Sequence, residues 1–325
     1  MAFNIRRIVS GSLLVLFIGG TVYGMAQHNQ IIDWWRLRGY APPASVSMLA
    51  TQDTMTTYAK HLFYLNRPNI AMGTAFNTNC PSGGEKTIVL GCYIGDENGI
   101  YVYDVTDQRL KGVEEVTAAH EMLHAAYQRL STQDRNKVDT MLQNYYDHDL
   151  HDQRIIDTIS AYKKSEPHDV VNEMHSVFGT EIATLPGPLE NYYTQYFTNR
   201  QAVTTFAAAY QSEFSSRQAA IKLYDSQLVQ IKSSVDANNH ALALQKAKID
   251  AEANSLSASR SNGDINGYNS GVDDYNNLVN SYKALAAMTQ KLIDQYNSLV
   301  SKRNAIVLQE QQLTQAITAH PVAAQ

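Results

Sequence analysis

The sequence predicts an α+β protein in which helices dominate, and three observations support this prediction. The run 8–26 contains no charged residue and is long enough to span a bilayer as a helix. Two short β-rich runs flank the turn-forming segment 95–99 and predict a β-hairpin. Apolar residues recur every seven positions within 199–318, which is typical of a coiled coil. We therefore expect a membrane-spanning helix, a mostly helical domain with a small β-hairpin, and a C-terminal antiparallel coiled-coil hairpin.

The N-terminal segment predicts where the protein works. Arg6 and Arg7 precede the apolar run, which favours a cytoplasmic segment 1–7 and an extracytoplasmic remainder. Gly24-Met25-Ala26 is also compatible with a signal-peptide cleavage site, and cleavage there would give a secreted protein. The length of the run favours an uncleaved single-pass anchor in the cell membrane.

The segment 27–46 is expected to be a juxtamembrane linker. Trp34 and Trp35 suit the headgroup region beside a span, although a packed domain edge would explain them equally well. The two cysteines, Cys80 and Cys92, agree with an exported domain, because an even count outside the cytoplasm predicts a disulfide. Closing this loop should contribute about 3 kcal/mol. Two buried thiols are the alternative.

The segment His120-Glu121-Met122-Leu123-His124 is an H-E-x-x-H motif. On a helix its two histidines lie one turn apart on one face, where they can bind one metal ion. Glu121 is then placed to take a proton from water, which zinc makes acidic enough to react near neutral pH. The surrounding run 116–126 contains no other charged residue, no proline and no glycine, which favours a helix. An ordinary core helix with hydrogen-bonded histidines is the alternative.

A catalytic zinc site needs a third protein ligand, and Asn172-Glu173-Met174-His175-Ser176 supplies the best candidate. Together with the H-E-x-x-H motif, this segment resembles the gluzincin type of zinc metallopeptidase. Glu173 follows His124 by 49 positions (173 − 124), which suits the helix that carries the third ligand in that group. Glu181 is the competing ligand. Val177 stands where some members have an aspartate that orients a zinc histidine.

The resemblance implies a zincin-like catalytic domain over 47–198 that hydrolyses peptide or protein substrates. It implies Zn²⁺ bound by His120, His124 and Glu173, with Glu121 as the general base. Peptide hydrolysis also needs a hydrogen-bond donor to the oxyanion. The candidate donors are His168, Tyr192, Tyr193 and Tyr196. His175 is disfavoured because it points away from Glu173 on a helix.

Periodicity predicts the remaining elements of this domain. The expected helices cover 47–65, 132–146, 153–164 and 170–185, and the expected strands cover 87–94 and 100–105. We expect the hairpin either to offer an edge to an extended substrate or simply to cover the core. The segment 147–152 contains metal-ligand types that could hold a second ion, but a solvated loop is the favoured interpretation.

The segment 199–318 carries two heptad series on either side of a turn-rich linker over 259–267. Two helical arms of roughly 70–80 Å would result. A homodimeric coiled coil is the alternative to a hairpin. The arms could hold the protease away from the membrane, bind a protein partner or a second copy of the chain, or restrict access to the site. The tail 319–325 follows.

The overall charge limits the possible partners. The net charge of −5 and the absence of a basic patch argue against nucleic acid. The sequence as a whole therefore predicts a membrane-anchored, extracytoplasmic zinc metallopeptidase. The alternative is a membrane-tethered coiled-coil adaptor whose zincin-like domain binds partners without catalysis.

Overall fold

The computed structural model of the protein describes residues 28–81, 90–95 and 99–318. The predicted membrane span over 8–26, the cytoplasmic segment, residues 87–89 of the first predicted strand and the tail lie outside these ranges. Among the described helices, none is both long enough and apolar enough to cross a membrane.

The described part of the chain is mostly helical and contains one small sheet. The first half contains α1 (His28–Leu37), α2 (Ala44–Gln52), α3 (Thr57–Leu65), β1 (Asn69–Ala71), α4 (Gly73–Asn79), β2 (Gly91–Ile94) and β3 (Gly99–Tyr103). A single 3₁₀ turn, Gln108–Leu110, follows. The remaining helices are α5 (Val113–Gln128), α6 (Thr132–His148), α7 (Gln153–Ser165), α8 (Val170–Glu181), α9 (Gly187–Tyr193), α10 (Arg200–Ser261) and α11 (Ile265–Ile317).

The chain divides into two compact units. The first, here called the site unit, runs to Tyr210 and includes the residues from Gln315 onward. The second, here called the long-helix unit, is Gln211–Thr314.

The prediction of one continuous helix over 47–65 is wrong, because the chain breaks between α2 and α3. Thr54 has a positive φ of 52°, which an uninterrupted helix does not allow. The Thr56 hydroxyl then accepts a hydrogen bond from the Ala59 backbone N–H and caps α3. Met55, between them, forms an isolated antiparallel bridge with Phe197. The segment between α2 and α3 is therefore paired with the segment that follows α9.

The sheet has three strands in the order β1-β3-β2. The described parts of β2 and β3 pair antiparallel, with Cys92 opposite Tyr101, as the predicted hairpin requires. The sequence did not reveal β1, which pairs parallel to β3 and has only three residues. Cys80, after α4, forms a disulfide with Cys92 on β2. The disulfide therefore joins α4 to an outer strand of the sheet.

The helix α5 lies at the centre of the site unit, and its prediction is confirmed. It packs against α2, α3, α8, β2 and β3, and most of its side chains are buried. The approach to α8 is close at Gly179, where a Cβ atom would lie 2.5 Å from Leu123 Cδ1. A side chain at this position would therefore push the two helices apart.

The long-helix unit consists of the main parts of α10 and α11. The Asp225 carboxylate accepts a hydrogen bond of 2.9 Å from the Arg303 side chain, and Gln218 donates to Glu310. Residue numbers rise along α10 as they fall along α11, so the two helices pair antiparallel. Residues of both heptad registers, such as Leu228 and Ile231, are half-buried. Among the described residues no third layer packs on these two helices, so their contact face is covered only partly.

Candidate metal centre

Three side chains converge where α5 meets α8. Nε2 of His120 and Nε2 of His124 are 3.0 Å apart. Glu173 places Oε1 3.4 Å from His124 Nε2, and Oε2 3.7 Å from His120 Nε2. Ligand atoms of a tetrahedral zinc, each about 2.0–2.1 Å from the metal, lie about 3.3–3.4 Å from one another. The three residues therefore have the spacing of a set that could hold one metal ion.

Helical geometry accounts for this convergence. His120 and His124 are one turn apart on α5 and therefore project on the same side. Glu173 projects from the first turn of α8, which packs against α5. The buried Arg200 donates to the backbone oxygens of Ile182 and Ala183 just after α8 ends. This arginine satisfies carbonyls at the helix C-terminus and holds the glutamate helix in place.

Burial and charge at Glu173 also fit a bound cation. Burial favours the neutral carboxyl, but His124, His120 and a hydrogen bond from Tyr162 lower the pKa of Glu173 below its usual value. Its Oε2 atom and the Nδ1 atom of His124 are buried without a hydrogen-bond partner among the described residues. A buried carboxylate oxygen left unpaired is costly, and a metal ion would satisfy it.

No described side chain orients His124 from behind, since its Nδ1 atom has no hydrogen-bond partner. Val177, which follows Ser176 on α8, is itself a buried core residue. The position of His124 is therefore set by the packing of α5 rather than by a hydrogen bond to its outer nitrogen.

Glu121 lies beside the three converging side chains and is buried. Burial raises the pKa of Glu121 to about 7, with the charge of Glu173 acting in the same direction. His124 and a hydrogen bond from the Tyr93 backbone act in the opposite direction. A carboxyl group with a pKa near neutrality is well suited to accept and return a proton. Gly91 leaves room for this side chain, because a Cβ atom there would lie 2.8 Å from Glu121 Oε1.

The metal-ligand candidates and Glu121 lie in a cleft of about 380 Å³. Residues 90–93, which include most of β2, form one wall of the cleft, and residues of α5, of α7 and α8 and of the turn between these two helices form most of the rest. Among the described residues, five carboxylates line it and no lysine or arginine does: Glu121, Glu166, Asp169, Glu173 and Glu181. A cleft with this charge attracts cations.

The structure distinguishes between the two glutamates proposed as third ligand. Glu181 lines the same cleft but forms an ion pair with Arg154 and does not belong to the converging group. A second group, Glu166, Asp169 and Glu173, also has ligand atoms within 4.8 Å of one another. It has no nitrogen donor and two of its members are exposed, so the pair of histidines favours the first group.

The four predicted oxyanion donors do not line the cleft. His168 is exposed, and Tyr193 and Tyr196 are fully buried. Tyr192 shares a hydrogen bond of 2.9 Å with Nε2 of His175, and the Tyr193 hydroxyl donates to the His175 backbone oxygen.

Tyr192, Tyr193 and Tyr196 therefore cluster around the buried His175 ring of α8. Burial, together with the nearby His124 and His120, lowers the pKa of His175 to about 3, so this ring is neutral at physiological pH. The placement corrects the predicted donors. The phenol side chains that do line the cleft are Tyr93, Tyr162 and Tyr210, which no spacing rule distinguishes in the sequence.

The segment 147–152, which the sequence offered as a possible second metal site, forms a helix cap and local hydrogen bonds. The Asp152 carboxylate accepts hydrogen bonds from the Arg154 and Ile155 backbone N–H groups and caps α7. Gln143 donates to Asp147, and His148 contacts the Asn144 backbone oxygen. Among the described residues, no group with metal-ligand spacing includes this segment.

Comparison of the chain with protein-family models, curated proteins and solved structures finds no match.

Proposed function

We propose that the protein is a zinc-dependent metallopeptidase. The observation that carries this proposal is the convergence of His120 Nε2, His124 Nε2 and the Glu173 carboxylate at distances of 3.0 to 3.7 Å. Two imidazoles and one carboxylate form the ligand set of many zinc hydrolases, and they leave a position open for water or substrate. Their location in an acidic cleft, rather than in a closed core, agrees with catalysis.

The roles of the side chains follow from their positions. Zinc, when bound, supplies a Lewis acid that polarises a carbonyl and makes water reactive near neutral pH. His120, His124 and Glu173 would hold the metal. Glu121 accepts a proton from the attacking water at its carboxylate and returns it to the leaving amine. Because Glu121 is buried in a confined cleft, solvent competes little for that proton.

The sheet supports a peptide as substrate. Within the described residues, β2 is an outer strand next to β3, and its residues 91–93 line the cleft beside Glu121, to which the Tyr93 backbone already donates a hydrogen bond. An extended peptide can add to such an outer strand through backbone hydrogen bonds. We propose that the substrate lies along β2, with its scissile carbonyl over the metal.

The cellular location is part of the same proposal. The run 8–26 would anchor the protein in the cell membrane, and everything after it would be extracytoplasmic. The disulfide between Cys80 and Cys92 suits an oxidising compartment. We propose that the long-helix unit is an antiparallel coiled coil that binds a protein partner or a second copy of the chain.

Zinc content tests the proposal directly. We would purify the full chain and count zinc in wild type, Glu173→Ala and Glu181→Ala. Glu181 is the matched control, because it lies on the same helix and lines the same cleft. The expected result is about one zinc per chain in wild type and Glu181→Ala, with loss only in Glu173→Ala. Equal retention in both variants would refute the assigned ligand set, and no zinc in wild type would refute the function.

The alternative function is a non-catalytic adaptor, and one observation favours it. Several large apolar side chains of the long-helix unit are exposed: Leu223, Val229, Leu244, Met288 and Leu308. Such side chains suit a surface that binds another protein. The two functions differ in their dependence on Glu121, since Glu121→Gln should abolish a peptidase and leave an adaptor intact.

A further inference from the structure

The helix α1 exposes its apolar face and turns its charged face towards the domain, which is the reverse of an ordinary surface helix. Ile31, Trp34, Trp35 and Arg38 follow an i, i+3, i+4, i+7 spacing, which places them on one face. This face, here called the α1 stripe, points away from the domain. Trp34 is 57% exposed and Trp35 is 63% exposed. The Arg38 guanidinium lies over both rings, 5.0 Å from the centre of the Trp34 ring.

The opposite face of α1 carries the charges that attach it to the domain. Asp33 is buried and accepts hydrogen bonds from Arg129, at the end of α5, and from His61 on α3 when that ring nitrogen is protonated. The Arg36 guanidinium donates to the Leu65 backbone oxygen. These contacts fix the rotation of α1 about its axis. The stripe is therefore held outward by specific polar contacts.

The sequence next to α1 indicates what covers the stripe. The uncharged run 8–26 precedes His28, the first residue of α1, by a single intervening residue in the sequence, and it has the length of a bilayer span. Tryptophan prefers the headgroup region of a bilayer, where its ring is buried and its N–H stays hydrated. Arg38 adds a cation that can pair with a lipid phosphate. An exposed apolar face with two tryptophans and one arginine is therefore suited to contact with a phospholipid surface.

We propose that α1 is an interfacial helix whose stripe lies in the headgroup region of the bilayer. Because Asp33 locks α1 to α3 and α5, contact of the stripe with lipid also fixes the orientation of the site unit relative to the membrane. The cleft would then face the membrane at one angle rather than rotate freely on a tether. This inference rests on the membrane anchor of the proposed function and not on catalysis.

The protein provides its own probe for the test, because Trp34 and Trp35 are its only two tryptophans. We would reconstitute the full chain into phosphatidylcholine–phosphatidylglycerol vesicles and record tryptophan fluorescence. The same measurement in vesicles whose lipids are brominated near the glycerol end of the acyl chains reports contact at shallow depth. We expect blue-shifted emission, a strong loss of fluorescence with the brominated lipids, and protection from aqueous iodide.

Two neighbouring isoleucines provide matched variants. Ile31→Asn changes the stripe, whereas Ile32→Asn makes the same chemical change about 100° around the helix. We expect Ile31→Asn to reduce quenching by brominated lipid and Ile32→Asn to leave it near the wild-type value. Equal effects of the two variants would overturn the assigned face.

Two further outcomes would overturn the proposal. Emission typical of water together with full quenching by iodide would mean that the stripe stays in solvent. Blue-shifted emission that brominated lipids do not quench would mean that protein, such as a second copy of the chain, covers the stripe. Neither outcome bears on zinc binding, so this inference and the proposed zinc peptidase chemistry can fail independently.

Discussion

The two units of the protein differ in the burial of their charged side chains. Among the described residues, every buried charged side chain belongs to the site unit, and they include Asp53, Glu115, Glu121, Glu173 and Arg200. In the long-helix unit the charged side chains remain partly or fully exposed, as in the pairs Lys232–Asp236 and Lys246–Asp250. A buried charge interacts strongly with its neighbours, whereas an exposed charge is screened by water. The site unit can therefore tune reactive groups, and the long-helix unit can provide length and surface.

The largest effect should come from the buried carboxylate proposed as general base. Glu121→Gln keeps the shape of the side chain and removes its ability to accept a proton. We expect hydrolysis of a peptide library by the full chain to fall by about 10²–10⁴-fold. Zinc content should remain at the wild-type level, because Glu121 is not among the three converging ligands.

A matched substitution in the other unit separates this effect from a general disturbance. Glu213→Gln alters a partly exposed glutamate that pairs with Arg217 on α10, and it should leave hydrolysis unchanged. Full activity in Glu121→Gln would exclude the proposed role of Glu121. Loss of zinc in that variant would instead mean that Glu121 helps to hold the metal.

The second prediction compares one helix glycine from each unit. A Cβ atom at Gly179 would lie 2.5 Å from Leu123 Cδ1 and 2.8 Å from Tyr193 Cε1, and both side chains are fully buried. Gly179→Ala should therefore lower the free energy of unfolding of the site unit by about 1–3 kcal/mol. It should also weaken zinc binding, because separating α8 from α5 moves Glu173 away from the histidines.

Gly271 in α11 is the control. A Cβ atom there would meet the movable ends of Glu252 and Leu256. Gly271→Ala should be neutral or stabilise the long-helix unit by up to about 1 kcal/mol, because alanine favours a helix. Hydrogen exchange followed by mass spectrometry measures both changes within the full chain. A Gly179→Ala protein with wild-type protection of α5 would contradict the close approach of the two helices.

The third prediction concerns Asp53, a buried carboxyl whose two oxygens lack hydrogen-bond partners among the described residues. Burial, reinforced by the charge of Glu115, raises the pKa of Asp53 well above its usual value. A carboxyl group whose pKa is raised in the folded state contributes its full stabilisation at pH values below its unfolded pKa of about 3.8–3.9. This contribution is lost as the pH rises towards the folded pKa. Asp53→Asn removes this dependence of protein stability on pH.

We therefore expect Asp53→Asn to be more stable than wild type at neutral pH. The difference should shrink by up to about 1.4 kcal/mol per pH unit as the pH falls towards 4. Thermal unfolding between pH 4 and 8 measures it. In a Glu115→Gln background the difference should be smaller, because the neighbouring negative charge is gone. A constant difference across this range would show that Asp53 is ionised in the folded protein.

The sequence predicted the parts of the molecule that depend on local periodicity or on a motif. The helix around His120 and His124, the antiparallel pairing of the described hairpin strands, the disulfide and two long C-terminal helices are all present. These features follow from residues close together in the chain or from long repeats. Glu173 was also identifiable, because it lies in a short motif on a second helix.

Features that depend on contacts between distant segments could not be predicted in the same way. The break after α2 depends on Met55 pairing with Phe197, far along the chain. The strand β1 is too short to show a pattern and forms only because β3 lies beside it. Tyr192 and Tyr196 have the right chemistry for oxyanion donors, yet the packing of α9 places them with His175.

The smallest expected effect concerns the ion pair between Arg303 and Asp225, which joins α10 and α11. Both side chains are about one-third to one-half exposed, at 35% and 48%. Water screens such a pair, so Arg303→Ala should change the free energy of unfolding of the long-helix unit by only about 0.2–1 kcal/mol. High salt should reduce the difference further. A loss as large as that in Gly179→Ala would mean that a partner covers the pair, and the long-helix unit would then also rely on buried charge.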